Sequence, residues 1–243
     1  MPRKAYLLGC YYLSWLGFAL FGIALNLACA PLLLLPPGLR PAAAARRGIA
    51  AAFRLWRWWL RLSGVLRVDW IGFEGGLEPG AVYVANHPTL IDATLLLSRL
   101  PDAVCAMKPA LLGNPAVAAA ARLAGYVSAD GSVDAVRDPV ARLGEGASFL
   151  IFPEGSRTSP GSSCDRIKPA FALIAQRARA PIRLILIRAS PQLAPKGRPW
   201  YAPPPGLPAR ISFELDRRWA PDPGRSVAEI VSDVENRLRF RLG

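Results

Sequence analysis

The chain has 243 residues, 52% of them hydrophobic, a formal net charge of +13, four cysteines and one histidine. That length suits one domain, or one domain with an appendage, and the apolar content is enough for a core. Cys10, Cys29, Cys105 and Cys164 form no Cys-x-x-Cys pair, which argues against a zinc site and for free thiols in a reducing cytoplasm.

From Ala5 to Leu39 there are 35 residues without a charge, more than the roughly 20 needed to cross a bilayer. Arg3 and Lys4 precede the run; Arg40, Arg46 and Arg47 follow it. A cleaved signal peptide would fit the basic start and Ala28-Cys29-Ala30, but the run is too long and Pro31 follows the scissile position. A single spanning helix and a shallow hairpin entering and leaving on one side both fit, and the flanking charges do not choose between them. On a helix over residues 46–62, Arg46, Arg47, Arg54, Arg57 and Arg61 share about 100° of arc. Ile49, Trp56, Trp59 and Leu60 lie on the other side, the pattern of a helix lying among lipid headgroups. An ordinary packed helix with a solvated charged face is the alternative. Residues 1–64 are therefore expected to be a membrane anchor with a basic interfacial helix, and 65–243 the catalytic domain. Basic charge that follows an apolar anchor, without any helix-turn-helix, zinc or RNA-binding signature, argues against nucleic acid as partner.

After the anchor, runs rich in β-branched and aromatic residues predict strands at Leu66–Ile71, Ala81–Ala85, Ala103–Met107, Ser148–Phe152, Ile182–Ile187 and Ile211–Leu215. Helices are predicted at Leu90–Ser98, Ala110–Leu123, Val133–Leu143 and Ala170–Arg179. A last helix carries the stripe Val227, Ile230, Val231, Val234 and Leu238. This alternation predicts an α/β fold, a helix-covered mixed β-sheet behind the N-terminal segment. The proline-rich stretch Pro191–Pro208 reads as an extended loop, a lid or a plain connection.

The densest chemistry lies in Asn86-His87-Pro88-Thr89-Leu90-Ile91-Asp92. His87 is the single side chain whose ordinary pKa suits proton exchange near neutrality. Mid-helix, positions five apart are about 140° out of phase and could not meet. With His87 in a strand-to-helix turn and Pro88 in the helix's first turn, the imidazole can fold back onto Asp92. Asp92 would then fix the tautomer while the other ring nitrogen acts as base. A second polar loop, Pro153-Glu154-Gly155-Ser156-Arg157-Thr158, follows the buried-type strand that ends at Phe152. Gly155 permits close backbone approach, and Arg157 offers a donor fork for phosphate or carboxylate. No Gly-x-Ser-x-Gly elbow supplies a nucleophile, so the proton donor is expected to be a substrate hydroxyl or water.

Asn86-His87-x4-Asp92 and Phe152-Pro153-Glu154-Gly155-Ser156-Arg157-Thr158 together resemble the first and third blocks of the glycerolipid acyltransferases, the 1-acyl-glycerol-3-phosphate acyltransferase family. The resemblance covers roughly residues 68–187. It implies transfer of a fatty acyl group from acyl-CoA or acyl carrier protein to a lysolipid hydroxyl, in phospholipid synthesis at the cytoplasmic face of the inner membrane. It implies His87 as general base, Asp92 as its orienter, and Glu154, Gly155 and Arg157 as acceptor-binding residues. Neither a covalent intermediate nor a metal or other cofactor is implied; the acyl carrier is a co-substrate. Gly131 stands where the family's middle block has an arginine, and Arg183-Leu184-Ile185 lacks the proline of its fourth block. These departures leave room for another acceptor, such as a lyso-ornithine-type lipid or a pigment head group. A non-catalytic lipid-binding protein and a thioesterase using water are the rival readings.

Overall fold

The computed structural model describes residues 2–100 and 102–243. Seven strands form one sheet: β1 (Leu66–Ile71), β2 (Val82–Ala85), β3 (Ala103–Met107), β4 (Val127–Ser128), β5 (Ser148–Ile151), β6 (Ile182–Ser190) and β7 (Ala209–Trp219). Their order is β1-β7-β6-β2-β5-β3-β4. The five strands from β6 to β4 run parallel; β7 is antiparallel to β6 and β1 parallel to β7. The expected mixed sheet is thus observed. The carboxyl ends of β2, β3, β5 and β6 share one edge, where ligands of open α/β sheets bind.

β2 is central and wholly buried, as a strand flanked on both faces must be. Its side chains divide by the period of two. Val82 and Val84 join the core under α6 (Asp134–Gly144), α7 (Ala170–Ala178) and α8 (Val227–Leu242). Tyr83 and Ala85 join the core on the opposite face, under α1 (Pro2–Cys29), α2 (Ala42–Leu62) and α3 (Asp92–Leu97). α8 begins with a Ser226/Glu229 capping box and buries Ile230, Val234 and Leu238, the expected stripe.

The differences from expectation have local causes. One predicted helix over 110–123 is two, α4 (Pro109–Leu112) and α5 (Ala118–Ala124), because Gly113-Asn114-Pro115 interrupts it. β6 and β7 extend beyond their apolar centres because pairing with each other carries charged residues along, Arg188, Arg210, Arg217 and Arg218 exposed and Glu214 and Asp216 half-buried in ion pairs with arginines. β4 has two residues, too few to leave a pattern.

The N-terminal helices do not stand apart. Leu7, Cys10, Tyr11, Trp56 and Leu60 lie in the same core as β1, β2 and β7, so packing is continuous across the expected boundary at residue 64. The Ile49/Trp56/Leu60 face of α2, expected to meet lipid, is buried against the protein, and Trp56 Nε1 donates to the Ser14 carbonyl at 2.8 Å. Of the arginine stripe, Arg46 is itself buried, donating to Asp102 Oδ1 at 2.6 Å and to the Ala124 carbonyl. The outward residues of this helical pair are instead Leu13, Leu16, Leu20, Phe21, Ile23 and Leu27 on α1 and Leu55, Trp58 and Leu62 on α2. α1 alone among the described helices is long and apolar enough to cross a membrane.

Both halves of α1 are bound to the body. Tyr11 Oη donates to the Trp200 carbonyl at 3.2 Å. Fifteen residues later, Asn26 donates to the Pro115 carbonyl and accepts from Ala119 N and Ala120 N, so that α1 caps the start of α5. Trp56 joins α2 to α1 and the core, bonding the Ser14 carbonyl and packing on Trp15 and Phe18. Trp56→Ala is expected to lower unfolding stability by roughly 3–5 kcal/mol and to expose α1 to limited proteolysis. Urea unfolding and protease digestion in detergent measure both; an unchanged midpoint and digestion pattern would contradict the packing.

Candidate active site

β2 ends at Ala85, and its last polar neighbour closes the sheet. Asn86 is buried; its Nδ2 donates to the Ile187 carbonyl at 2.8 Å and its Oδ1 accepts from Ile187 N at 2.7 Å. An amide side chain thereby replaces a ladder rung between β2 and β6, and the backbone is free to turn at His87. α3 then starts at Asp92, so the two residues sit on either side of the turn as expected; Pro88 lies in the turn itself, four residues before the helix, rather than in the helix's first turn, because the chain needs residues 88–91 to bring Asp92 back to the ring.

His87 Nδ1 lies 2.9 Å from Asp92 Oδ2. The same oxygen accepts from Thr89 N at 2.7 Å, and Asp92 Oδ1 accepts from Thr89 Oγ1 at 2.5 Å. A carboxylate accepts and does not donate, so Nδ1 carries the proton and Nε2 presents its lone pair. The Asp92 side chain is fully buried while the His87 side chain keeps 17% of its surface exposed, so the acid is shielded and the base is reachable. Phe152 stacks on the imidazole with centroids 4.2 Å apart and planes 24° from parallel, which fixes the ring's second face.

The second loop is bonded to the first through backbone. Thr158 N donates to the His87 carbonyl at 2.8 Å, and Glu154 Oε1 accepts from His87 N at 2.9 Å. Glu154 Oε1 also accepts from Thr158 Oγ1, and its Oε2 accepts from Asp165 N, each at 2.9 Å. Burial pushes the Glu154 carboxyl above its ordinary range, against the opposing pull of these donors. Its oxygens are thus committed to protein groups, and it acts on His87 by holding the turn. Asp165 is held below the usual carboxylate range by Ser159 and, secondarily, Lys196. Burial pushes the Cys105 and Cys164 thiols up to about 12, so both remain protonated and poorly nucleophilic.

Gly155 has φ of 70°, and a Cβ there would stand 2.9 Å from Lys168 Nζ. The glycine therefore serves both the left-handed turn and the approach of that lysine. Arg157 is half-buried; NH1 donates to the carbonyls of Ala194 at 2.6 Å and Pro195 at 2.9 Å. Its Nε and NH2 have no bond to another described residue. Gly131 faces open space, with no atom within 4 Å of where a Cβ would lie. Lys108 is exposed directly after β3, at the same edge as His87, whereas Arg137 is engaged with Asp134 and Asp138.

The model of the family described as Acyltransferase matches residues 71–188. This stretch is similar to that family. It contains both motif loops. The whole chain also resembles the crystal structure of the 1-acyl-sn-glycerophosphate acyltransferase PlsC from Thermotoga maritima, with TM-score 0.71 and 23% identity over 99% of this chain and 95% of that one. The N-terminal helices are part of that shared fold. No curated protein matches the sequence.

Within this matched stretch, the structure brings together His87, Asp92, Glu154, Gly155 and Arg157. It adds Asn86, Thr89, Phe152 and Thr158 as residues that position them. Thr89 had a signal in the sequence, since Thr-x-x-Asp is the spacing at which an acid reaches back to the N–H three residues earlier. Asn86 had one too, as an amide closing a fully apolar strand. Phe152 and Thr158 stand at the two ends of the second motif, but nothing in the sequence signals their contacts with His87, which cross between loops about 65 to 70 residues apart. Glu154→Ala leaves a buried hydroxyl and two half-buried N–H groups unpaired, the hydroxyl at about 1–3 kcal/mol and the N–H groups at less. Thermal unfolding should fall accordingly, and Glu154→Gln should recover part of it. Wild-type stability in Glu154→Ala would contradict the linking role.

Proposed function

We propose that this protein transfers a fatty acyl group from the thioester of acyl-CoA or acyl carrier protein to a lysolipid hydroxyl. The acceptor that fits best is 1-acyl-glycerol-3-phosphate, and the setting is phospholipid synthesis at the cytoplasmic face of the inner membrane. The observation that carries the reading is the His87–Asp92 bond, which leaves Nε2 free and aimed away from its buried partner.

His87 Nε2 takes the hydroxyl proton as the acceptor oxygen attacks the thioester carbonyl. The imidazolium that results is stabilised by Asp92. The tetrahedral intermediate then expels the thiolate, which recovers that proton, and the ester leaves. A thioester is already activated, so no enzyme nucleophile is required. The buried state of Cys105 and Cys164 agrees with a direct transfer.

For the acceptor phosphate, Arg157 offers the nitrogens not used by Ala194 and Pro195, and Lys108 offers a second cation at the sheet edge. Gly155 keeps the backbone low beside them. Glu154 supports the site from below and needs no contact with substrate. The PlsC of Thermotoga maritima, whose fold is shared, is described as acting on 1-acyl-sn-glycerophosphate, which supports the same acceptor here.

The membrane reading rests on α1. Its outer face is apolar and exposed, yet Tyr11 and Asn26 tie it to the catalytic body about 22 Å apart along the helix. A helix fastened in this way favours the shallow hairpin, with α1 lying in one leaflet beside the site, over a single span. On this reading residues 1–64 anchor the chain and 65–243 perform catalysis.

A second acceptor class is favoured by one observation, the open space around Gly131 where the family has an arginine. A bulkier or uncharged head group would fit there. His87→Ala is expected to lower acyl transfer by on the order of 10²–10⁴-fold with folding retained. Labelled acyl-CoA and acyl carrier protein, tested against lysophosphatidic acid, a lyso-ornithine lipid and no acceptor, decide between the readings. Preferred labelling of lysophosphatidic acid supports the first acceptor, and preferred labelling of the lyso-ornithine lipid supports the second. Fatty acid release that ignores acceptors, or full activity in His87→Ala, would overturn the mechanism.

A further inference from the structure

The chain between β6 and β7, residues 191–208, is neither a free lid nor a plain connection. One part is fastened to the active-site loop: Arg157 holds the carbonyls of Ala194 and Pro195, and Lys196 Nζ donates to Ser159 Oγ at 3.0 Å and to Asp165 Oδ2 at 3.2 Å. The other part is fastened to α1. Tyr11 Oη donates to the Trp200 carbonyl and Tyr12 Oη to the Tyr201 carbonyl, both at 3.2 Å, and the Trp15 and Trp200 rings lie 5.5 Å apart. Both tyrosines grip backbone. The side chains of Trp200 and Tyr201 therefore stay outside, 50% and 62% exposed.

Two adjacent exposed aromatics need a surface to meet. They continue the outward face of α1, where Tyr6, Tyr12, Leu13 and Leu16 are exposed. Each has an apolar ring and one polar tip, the composition favoured where hydrocarbon meets headgroups. Charge points the same way. Residues 2–68 and 189–213 contain no Asp or Glu, while Arg3 and Lys4 lie on α1 and Arg198 on this loop, Lys196 being paired inward with Asp165. A face with aromatics and cations but no acids complements anionic lipid.

We propose that the Trp200-Tyr201 tip is a second lipid-contact element, seated in the headgroup layer beside α1. Through Ala194 and Pro195 it holds the Arg157 loop at the level of the headgroups, where an acceptor phosphate would be met. This rests on the membrane reading of α1 given above, but adds a contact which that reading does not need.

Site-directed labelling tests it. The four native cysteines are buried, so Tyr201→Cys and, separately, Leu16→Cys can be labelled with a polarity-sensitive fluorophore on the full chain. Each is added to vesicles of phosphatidylcholine and phosphatidylglycerol carrying a nitroxide near the headgroup, with flotation confirming binding. The expected result is a blue shift and quenching at both positions. Quenching at residue 16 with none at residue 201 would overturn the strap proposal and leave the α1 reading standing. An absence of quenching at both would sink the α1 reading and the strap with it.

Discussion

One hydrogen bond, from the His87 imidazole to the Asp92 carboxylate, sets the terms for the rest of the site. Two residues five apart cannot meet on a helix, so the chain must leave β2, turn and begin α3 between them. Every neighbouring polar group serves that turn. Asn86 stands in for a sheet rung, Thr89 fills the remaining valences of Asp92, and Glu154 takes the His87 N–H. A buried acid surrounded by donors is stable as an acceptor and therefore fixes which ring nitrogen is basic.

Parallel strands explain why the second motif reaches the first. β5 lies beside β2, so the loop after Ile151 emerges next to the turn after Ala85. Phe152 stacks on the imidazole, and Thr158 and Glu154 bond its backbone. The polar loop is thus part of the base's scaffold before it is a substrate site. That division makes physical sense of two neighbouring charged groups: Glu154 is buried and satisfied inside the protein, while Arg157 is half-buried with donors to spare.

Much of this was legible in the residues. The strands from β1 to β3 and β5 are announced by apolar runs, and the His87–Asp92 pairing follows from helix geometry, although Pro88 lies in the turn and not in the helix it was expected to open. What stayed hidden depended on long-range contact. The extensions of β6 and β7 come from mutual pairing of strands whose outer residues are charged. The face that α2 buries was misjudged from the sequence, because an amphipathic stripe shows that a helix has an apolar side and not whether protein or lipid covers it. Here protein covers Trp56 and Leu60, and the exposed apolar surface belongs mainly to α1. Arg157's bonds to Ala194 and Pro195 had no trace in the sequence, since the partners are backbone carbonyls 37 and 38 residues away.

α1, the segment at residues 191–208 and the motif loop form one connected path from Tyr11 to Arg157 to His87. On the proposed function such a path has a use, because a base positioned at the wrong depth beside a bilayer meets no acceptor hydroxyl. The account nevertheless stands or falls on the imidazole. The chain has a single histidine, so 15N-histidine labelling gives one ring to observe by NMR. The structure requires a protonated Nδ1 and a bare Nε2 in the neutral ring, with that preference lost in Asp92→Ala. A wild-type ring protonated at Nε2 would leave no base facing the acceptor and would contradict the proposed chemistry at its centre.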